Sequence, residues 1–299
     1  MPQAQAKGAR IYYEEAGAGV PIVFVHEFAG DYRSWDDQIR HFSRGYRCIT
    51  MSARGYPKSD CPDDVNLYGQ SYFTADVIAV MDAAGVDKAH VVGLSMGGYA
   101  TLMVGLEHPD RVRSLVPAGA GTGSNKAARA EFVKEYHAAA DHFIASGKVD
   151  GHAMGISPSR VQLLNKDPVG WRRFADHLSE HSPIGSANTL RKVQSERASL
   201  YDFEAKLRAC RLPTLLLVGD EDEPCLDVNL WMKRIMPTAE LAVLPASGHA
   251  INLEEPALFN HLVGRFIASV DLGQWRPRDP RATPIATNSG LAGTLEKKA

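Results

Sequence analysis

The sequence predicts an α/β protein: a mostly parallel, doubly wound sheet with a helical cap inserted before the penultimate strand. Short, continuously apolar runs alternate with amphipathic ones through most of the chain. Unbroken apolar strands separated by helices imply a parallel sheet covered on both faces. Between about Gly121 and Arg208 that rhythm stops and only helical spacing remains. Helices inserted between two parallel strands lie over the carboxyl edge of the sheet, where open α/β folds bind ligands.

Ala9–Glu14 reads as an opening strand, and Gly17-Ala18-Gly19 turns the chain into Pro21-Ile22-Val23-Phe24-Val25-His26. The strand Tyr46–Ser52 follows. Over Ser71–Ala84 the residues Phe73, Val77, Ile78, Met81 and Ala84 recur at helical spacing, and Gly85 is a natural terminator. Lys88–Leu94 reads as a buried strand, Tyr99–Leu106 as a helix and Val112–Ala118 as the next strand. Inside the insertion, Asn125–Ser146 places Phe132, Tyr136, Ala140 and Phe143 on one side, and Pro168–His181 and Asn188–Ala205 read as further helices. Pro213–Gly219 and Ala239–Pro245 resume the sheet. The expected division is a core of residues 1–120 and 209–273, a cap of residues 121–208 and a tail of residues 274–299. That tail, rich in Pro, Arg, Thr and Gly with little to bury, reads as disordered or loosely packed.

At 299 residues the chain is long enough for one large domain carrying an insertion. Its 44% hydrophobic and 23% charged residues are the balance of a soluble globular protein. A formal net charge of −2 gives no electrostatic argument for nucleic acid or an anionic membrane as partner. Cys48, Cys61, Cys210 and Cys225 are scattered without a C-x-x-C pair, so neither a zinc site nor a dithiol motif is indicated. Free thiols in a reducing compartment are expected. No apolar h-region opens the chain and no run approaches the roughly 18 residues that span a bilayer, so a cytoplasmic protein is expected.

Gly93-Leu94-Ser95-Met96-Gly97 joins the strand ending at Leu94 to the helix that follows, and reads as a nucleophile elbow. A serine in so sharp a turn projects its hydroxyl into open space, and glycines two before and two after leave room for it. The following helix aims its N-terminal N–H groups at the serine, where an oxyanion would sit. The pattern alone also fits a glycine-rich turn that packs closely or holds a phosphate. The strand before, the helix after and the lack of a Walker-type lysine favour the nucleophile.

A serine hydroxyl needs a base. Of the 11 histidines, His249 in Ser247-Gly248-His249 leaves the last strand on the same sheet edge as Ser95. A carboxylate should follow the penultimate strand to fix the imidazole tautomer. Gly219-Asp220-Glu221-Asp222-Glu223 offers four candidates, in the chain order Ser…Asp…His expected of such a sheet.

Together these residues resemble the α/β-hydrolase superfamily, specifically its capped esterase- and lactonase-like members. The resemblance covers residues 9–270. It rests on Val25-His26 with Phe28 and Gly30, on Arg54-Gly55-Tyr56-Pro57-Lys58-Ser59, on Gly93–Gly98, on Leu217–Asp222 and on Ser247-Gly248-His249. It implies the α/β-hydrolase fold and selects Asp222 as the acid, three residues after the strand-terminal glycine, with Asp220 as runner-up. It also implies an oxyanion hole formed by the N–H groups of Phe28 and Met96. His26 is expected to brace that loop by hydrogen bonding. One position departs from the family pattern: glycine commonly follows the histidine, and here Glu27 does. Either Glu27 points away and pairs with a base such as an arginine, or its carboxylate shapes the site and favours a cationic substrate group.

The expected function is therefore a cofactor-free serine esterase or lactonase acting on a small-molecule substrate, with Ser95, His249 and Asp222 as catalytic triad. Hydrolysis of a C–C bond in a meta-cleavage product, perhydrolysis, and slow-turnover ligand reception are alternatives on the same scaffold. An aspartate at position 95, as in haloalkane dehalogenases and epoxide hydrolases, is absent. No metal or dinucleotide signature competes, and the sequence leaves the oligomeric state open.

Overall fold

The computed structural model describes residues 2–282. Eight strands form one sheet in the order β1-β2-β4-β3-β5-β6-β7-β8. They are β1 (Gln3–Ala6), β2 (Ala9–Ala16), β3 (Val20–Val25), β4 (Tyr46–Met51), β5 (Ala89–Leu94), β6 (Val112–Ala118), β7 (Thr214–Gly219) and β8 (Ala239–Leu244). β1 and β2 run antiparallel at one edge, and every pairing from β4 to β8 is parallel. β5 and β7 are buried at all six positions, as strands covered on both faces must be, while the edge strand β8 is partly exposed.

The helices are α1 (Asp36–Phe42), α2 (Gln70–Ala83), α3 (Met96–Glu107), α4 (Arg129–Ser146), α5 (Gly151–Gly155), α6 (Val161–Lys166), α7 (Pro168–Ser179), α8 (Pro183–Asn188), α9 (Glu204–Ala209), α10 (Glu223–Ile235), α11 (Ile251–Glu254) and α12 (Pro256–Asp271). One core layer packs Phe73, Val77, Met81, Ala100 and Val104 of α2 and α3 against Val23, Val25, Ile49 and Val91. The opposite layer packs Trp35, Phe42, Phe259, Val263 and Phe266 against Phe24, Val92, Val116 and Leu217. No helix among the described residues is long and apolar enough to cross a membrane.

After β3 the chain crosses to β4 on one side, then returns through α2 to place β5 on the other side of β3. That reversal opens a crevice at the carboxyl ends of β3 and β5, the place where such sheets take ligands. Val25 pairs with Gly93 across it, so the loop after β3 and the turn after β5 leave the sheet side by side.

Between β6 and β7 every described element is helical. Phe143, Leu163, Phe174, Leu178 and Leu190 form a small core of their own that also meets Ala29 and Phe28. The single helix expected over Asn188–Ala205 is broken. Its first part is the end of α8 and a π-type turn, Thr189–Gln194. Ser199 then caps a new short turn, Leu200–Phe203, in a capping box with Asp202. The tail expected from residue 274 also needs correction. Trp275 stacks edge-on against Phe266 at 4.7 Å and donates its indole N–H to the Thr238 carbonyl at 3.1 Å. The Arg278 N–H reaches the Pro237 carbonyl at 2.8 Å, so the first part of that segment is packed. Residues 283–299 lie outside the described residues.

Candidate active site

Ser95 sits between β5 and α3 with φ of 55° and ψ of −111°, a backbone that residues other than glycine rarely adopt. A Cβ at Gly93 would run into the Gly97 carbonyl, and one at Gly97 would run into the Val25 carbonyl. The two glycines are what let the turn close against β3. The Ser95 N–H is tied to the Ala118 carbonyl at 2.8 Å, fixing the elbow to the neighbouring strand β6.

His249 lies on the loop after β8, and its Nδ1 donates to Asp222 Oδ2 at 2.7 Å. Both residues are buried, at 6% and 2% exposure. Asp220 is directed elsewhere: its Oδ1 accepts the Ser247 N–H at 2.9 Å and so shapes the loop carrying the histidine. Ser95, Asp222 and His249 line one cavity of about 1000 Å³. The Ser95 hydroxyl and the ring are not hydrogen-bonded to each other, and catalytic contacts of this kind commonly tighten in the Michaelis complex.

Burial opposes a charge on His249, but the Asp222 carboxylate outweighs it and raises the ring well above the ordinary value of 6.5. A base must be neutral to accept a proton, so a raised value delays its activation. We expect kcat/KM to rise with pH through an ionisation above 6.5. A profile already flat at that pH, with chemistry rate-limiting, would contradict His249 as the base.

The Phe28 N–H has no acceptor among the described residues, and the Met96 N–H, first in α3, has none within its helix. The loop bearing Phe28 is braced from two sides. His26 accepts the Ala53 N–H on Nε2 at 2.9 Å and donates from Nδ1 to the Glu27 carbonyl at 2.6 Å. Complete burial holds this ring to about 4, so it stays neutral in that tautomer near pH 7. The Tyr56 hydroxyl donates to the Phe28 carbonyl at 3.0 Å. Beneath them the buried pair Arg54–Asp76, at 2.6 Å, fastens the loop after β4 to α2.

Glu27 combines features of both sequence expectations. Its carboxylate pairs with an arginine, Arg160, but that arginine comes from the cap and the pair lines the cavity. Its backbone is unstrained: the non-glycine residues with positive φ among those described are Lys58, Ser95 and Ala246. Phe132, Tyr136 and Phe143 also line the cavity, whereas Trp171 and Phe174 pack in the cap core.

Sequence reasoning missed Arg160 and the fully buried Cys225. The Cys225 thiol donates to the Gly119 carbonyl at 3.2 Å, and the ligand atoms of Asp222, Cys225 and His249 lie within 4.8 Å of one another. Among the described residues, these three are the group that could hold a metal. Burial and the Asp222 charge push the thiol up, away from the thiolate a metal needs, and the other two are bonded to each other. Position three after the acid, on the first turn of α10, was the available signal for Cys225.

Residues 20–256 match the family model described as alpha/beta hydrolase fold. A 2-hydroxy-6-oxo-6-phenylhexa-2,4-dienoate hydrolase from Burkholderia cepacia is 29% identical over 271 residues, covering 87% of this chain and 92% of its own. The 3-oxoadipate enol-lactonase 1 of Acinetobacter baylyi is 26% identical over 254 residues, covering 83% of this chain and 89% of its own. A thermophilic esterase from Thermogutta terrifontis superimposes with a TM-score of 0.79 at 21% identity, over 90% of this chain and 98% of that one, a likeness of fold.

Proposed function

Because the chain belongs to the alpha/beta hydrolase fold family, we propose that this enzyme is a cofactor-free serine hydrolase of small, uncharged carboxylic esters or lactones. The observation that carries the reading is the His249–Asp222 bond on the wall of the cavity that Ser95 faces from its strained elbow. Ser95 Oγ attacks the carbonyl carbon while His249 Nε2 takes the hydroxyl proton. The N–H groups of Phe28 and Met96 receive the negative charge that develops on the carbonyl oxygen. Asp222 holds the imidazolium, which returns the proton to the leaving alkoxide. Water, deprotonated by the same nitrogen, then cleaves the acyl-enzyme and restores Ser95. The free cysteines support a reducing, cytoplasmic setting.

Charge favours an ester or lactone over the dienoates of the C–C hydrolases. The lining residues include the exposed carboxylates of Glu135, Glu223 and Asp227, and that of Glu131, which pairs with Lys134 at 3.1 Å. The cationic groups of the lining are committed elsewhere, Lys126 to Asp202 at 2.5 Å, Arg160 to Glu27 and the His249 ring to Asp222 at 2.7 Å. A substrate carboxylate would enter a negative mouth without an unpaired cation on the lining to receive it.

The test compares p-nitrophenyl butyrate, the mono-p-nitrophenyl ester of glutaric acid and a dienoate chromophore. At low ionic strength the neutral ester should exceed the anionic one by roughly tenfold or more in kcat/KM, with the gap narrowing as salt is added. Faster turnover of the dienoate than of either ester would overturn the reading.

A further inference from the structure

The turn Ser159–Arg160, just before α6, touches both halves of the site. The Ser159 carbonyl accepts the His249 N–H at 2.9 Å. Arg160 Nη2 donates to Glu27 Oε2, in a pair whose side chains are 11% and 2% exposed. The contacts continue along α6. Gln162 donates to Glu221 Oε2 at 2.5 Å, on the loop of the acid, and Lys166 donates to Ser247 Oγ at 3.1 Å, on the loop of the base. One short cap segment therefore grips the loops after β3, β7 and β8.

Its grip on the loop after β3 bears directly on the oxyanion hole. The Glu27 carbonyl and the Phe28 N–H belong to one planar trans peptide and point in opposite directions. That carbonyl accepts from His26 Nδ1 and, at 3.2 Å, from the Gly30 N–H. Holding the carbonyl on one side aims the N–H to the other. The Glu27 side chain is the remaining handle on that peptide, and Arg160 is its hydrogen-bond partner: Oε1, also buried, has none among the described residues. Without Arg160, a buried carboxylate would stand uncompensated beside the place where an oxyanion forms.

We propose that Arg160 is a positioning residue: acting through Glu27, it fixes the peptide that presents the Phe28 N–H, so the oxyanion hole is complete only when the Ser159–Lys166 segment of the cap is seated. The proposal rests on the serine hydrolase reading above. It makes the cap a part of the catalytic geometry as well as a wall of the cavity.

The test measures kcat, KM and the affinity of a trifluoromethyl ketone, whose hydroxyl-addition adduct carries an oxyanion, for the wild type, Arg160→Gln, Arg160→Lys, Glu27→Gln and Glu27→Gln/Arg160→Gln. Arg160→Gln should lower kcat by about tenfold to hundredfold with KM within about threefold, and weaken the ketone in parallel. Arg160→Lys should restore most of the loss. The double variant, which leaves no buried charge unpaired and so keeps the test open if a single variant misfolds, should lose no more than Arg160→Gln. Unchanged ketone affinity in Arg160→Gln, or a Glu27→Gln enzyme faster than wild type on a neutral ester, would overturn the proposal. If the wild type hydrolyses no ester and binds no ketone, the serine hydrolase reading fails. Amide hydrogen exchange at residues 27–30 then decides the link by itself: faster exchange in Arg160→Gln upholds it, and equal exchange overturns it.

Discussion

Replacing Ser95 with alanine is expected to abolish ester turnover, by a factor on the order of 10⁵ or more, together with labelling by a fluorophosphonate. On the proposed reading the residue supplies the attacking oxygen, and no neighbouring hydroxyl occupies the elbow. Stability should hardly change, within about 0.5 kcal/mol, because the side chain is a single hydroxyl facing the cavity and alanine meets the same positive φ. Thermal unfolding of the two proteins checks that half of the expectation. Retained activity, with label appearing on another serine, would remove Ser95 from the mechanism.

Exchanging Asp222 for asparagine should lower kcat by about 10⁴-fold, because the amide favours the wrong imidazole tautomer and cannot stabilise the imidazolium. The same change should also move the pH profile toward lower values, since the carboxylate is what raises His249. Asp220→Asn is the control. Its Oδ1 accepts one backbone N–H from Ser247, a bond an amide oxygen can keep, so a loss of less than about tenfold is expected. Reversal of the two results would mean that Asp220 reaches the ring during turnover.

The parts of the site that were legible in the sequence are those fixed by strand ends. Ser95, Asp222 and His249 each follow an apolar run by a few residues, and a parallel sheet puts all such positions on one edge. The fold was legible for the same reason. β1 was not: Gln3–Ala6 is four residues long and its apolar positions are alanines, too weak a pattern to register. In the cap, α5 and α6 have five and six residues, less than two turns each, so periodicity had nothing to average over. Arg160 stands in that stretch, 133 residues from Glu27 in the chain. The sequence marked Glu27 as unusual but gave no way to see its partner, because an ion pair across such a separation has no local signature.

The positive φ of Ser95 carries a cost that its surroundings must cover. A positive-φ backbone at a residue with a Cβ costs on the order of 1–3 kcal/mol, a sizeable share of the net stability of a domain. Glycine would adopt the same turn without that penalty. Stability alone would therefore place glycine at position 95, and the buried glycine contacts and the tie to Ala118 that hold the turn closed would then have little to restrain. A side chain kept at position 95 against that cost is what the proposed nucleophile requires, and the cost is set by the backbone without reference to any substrate.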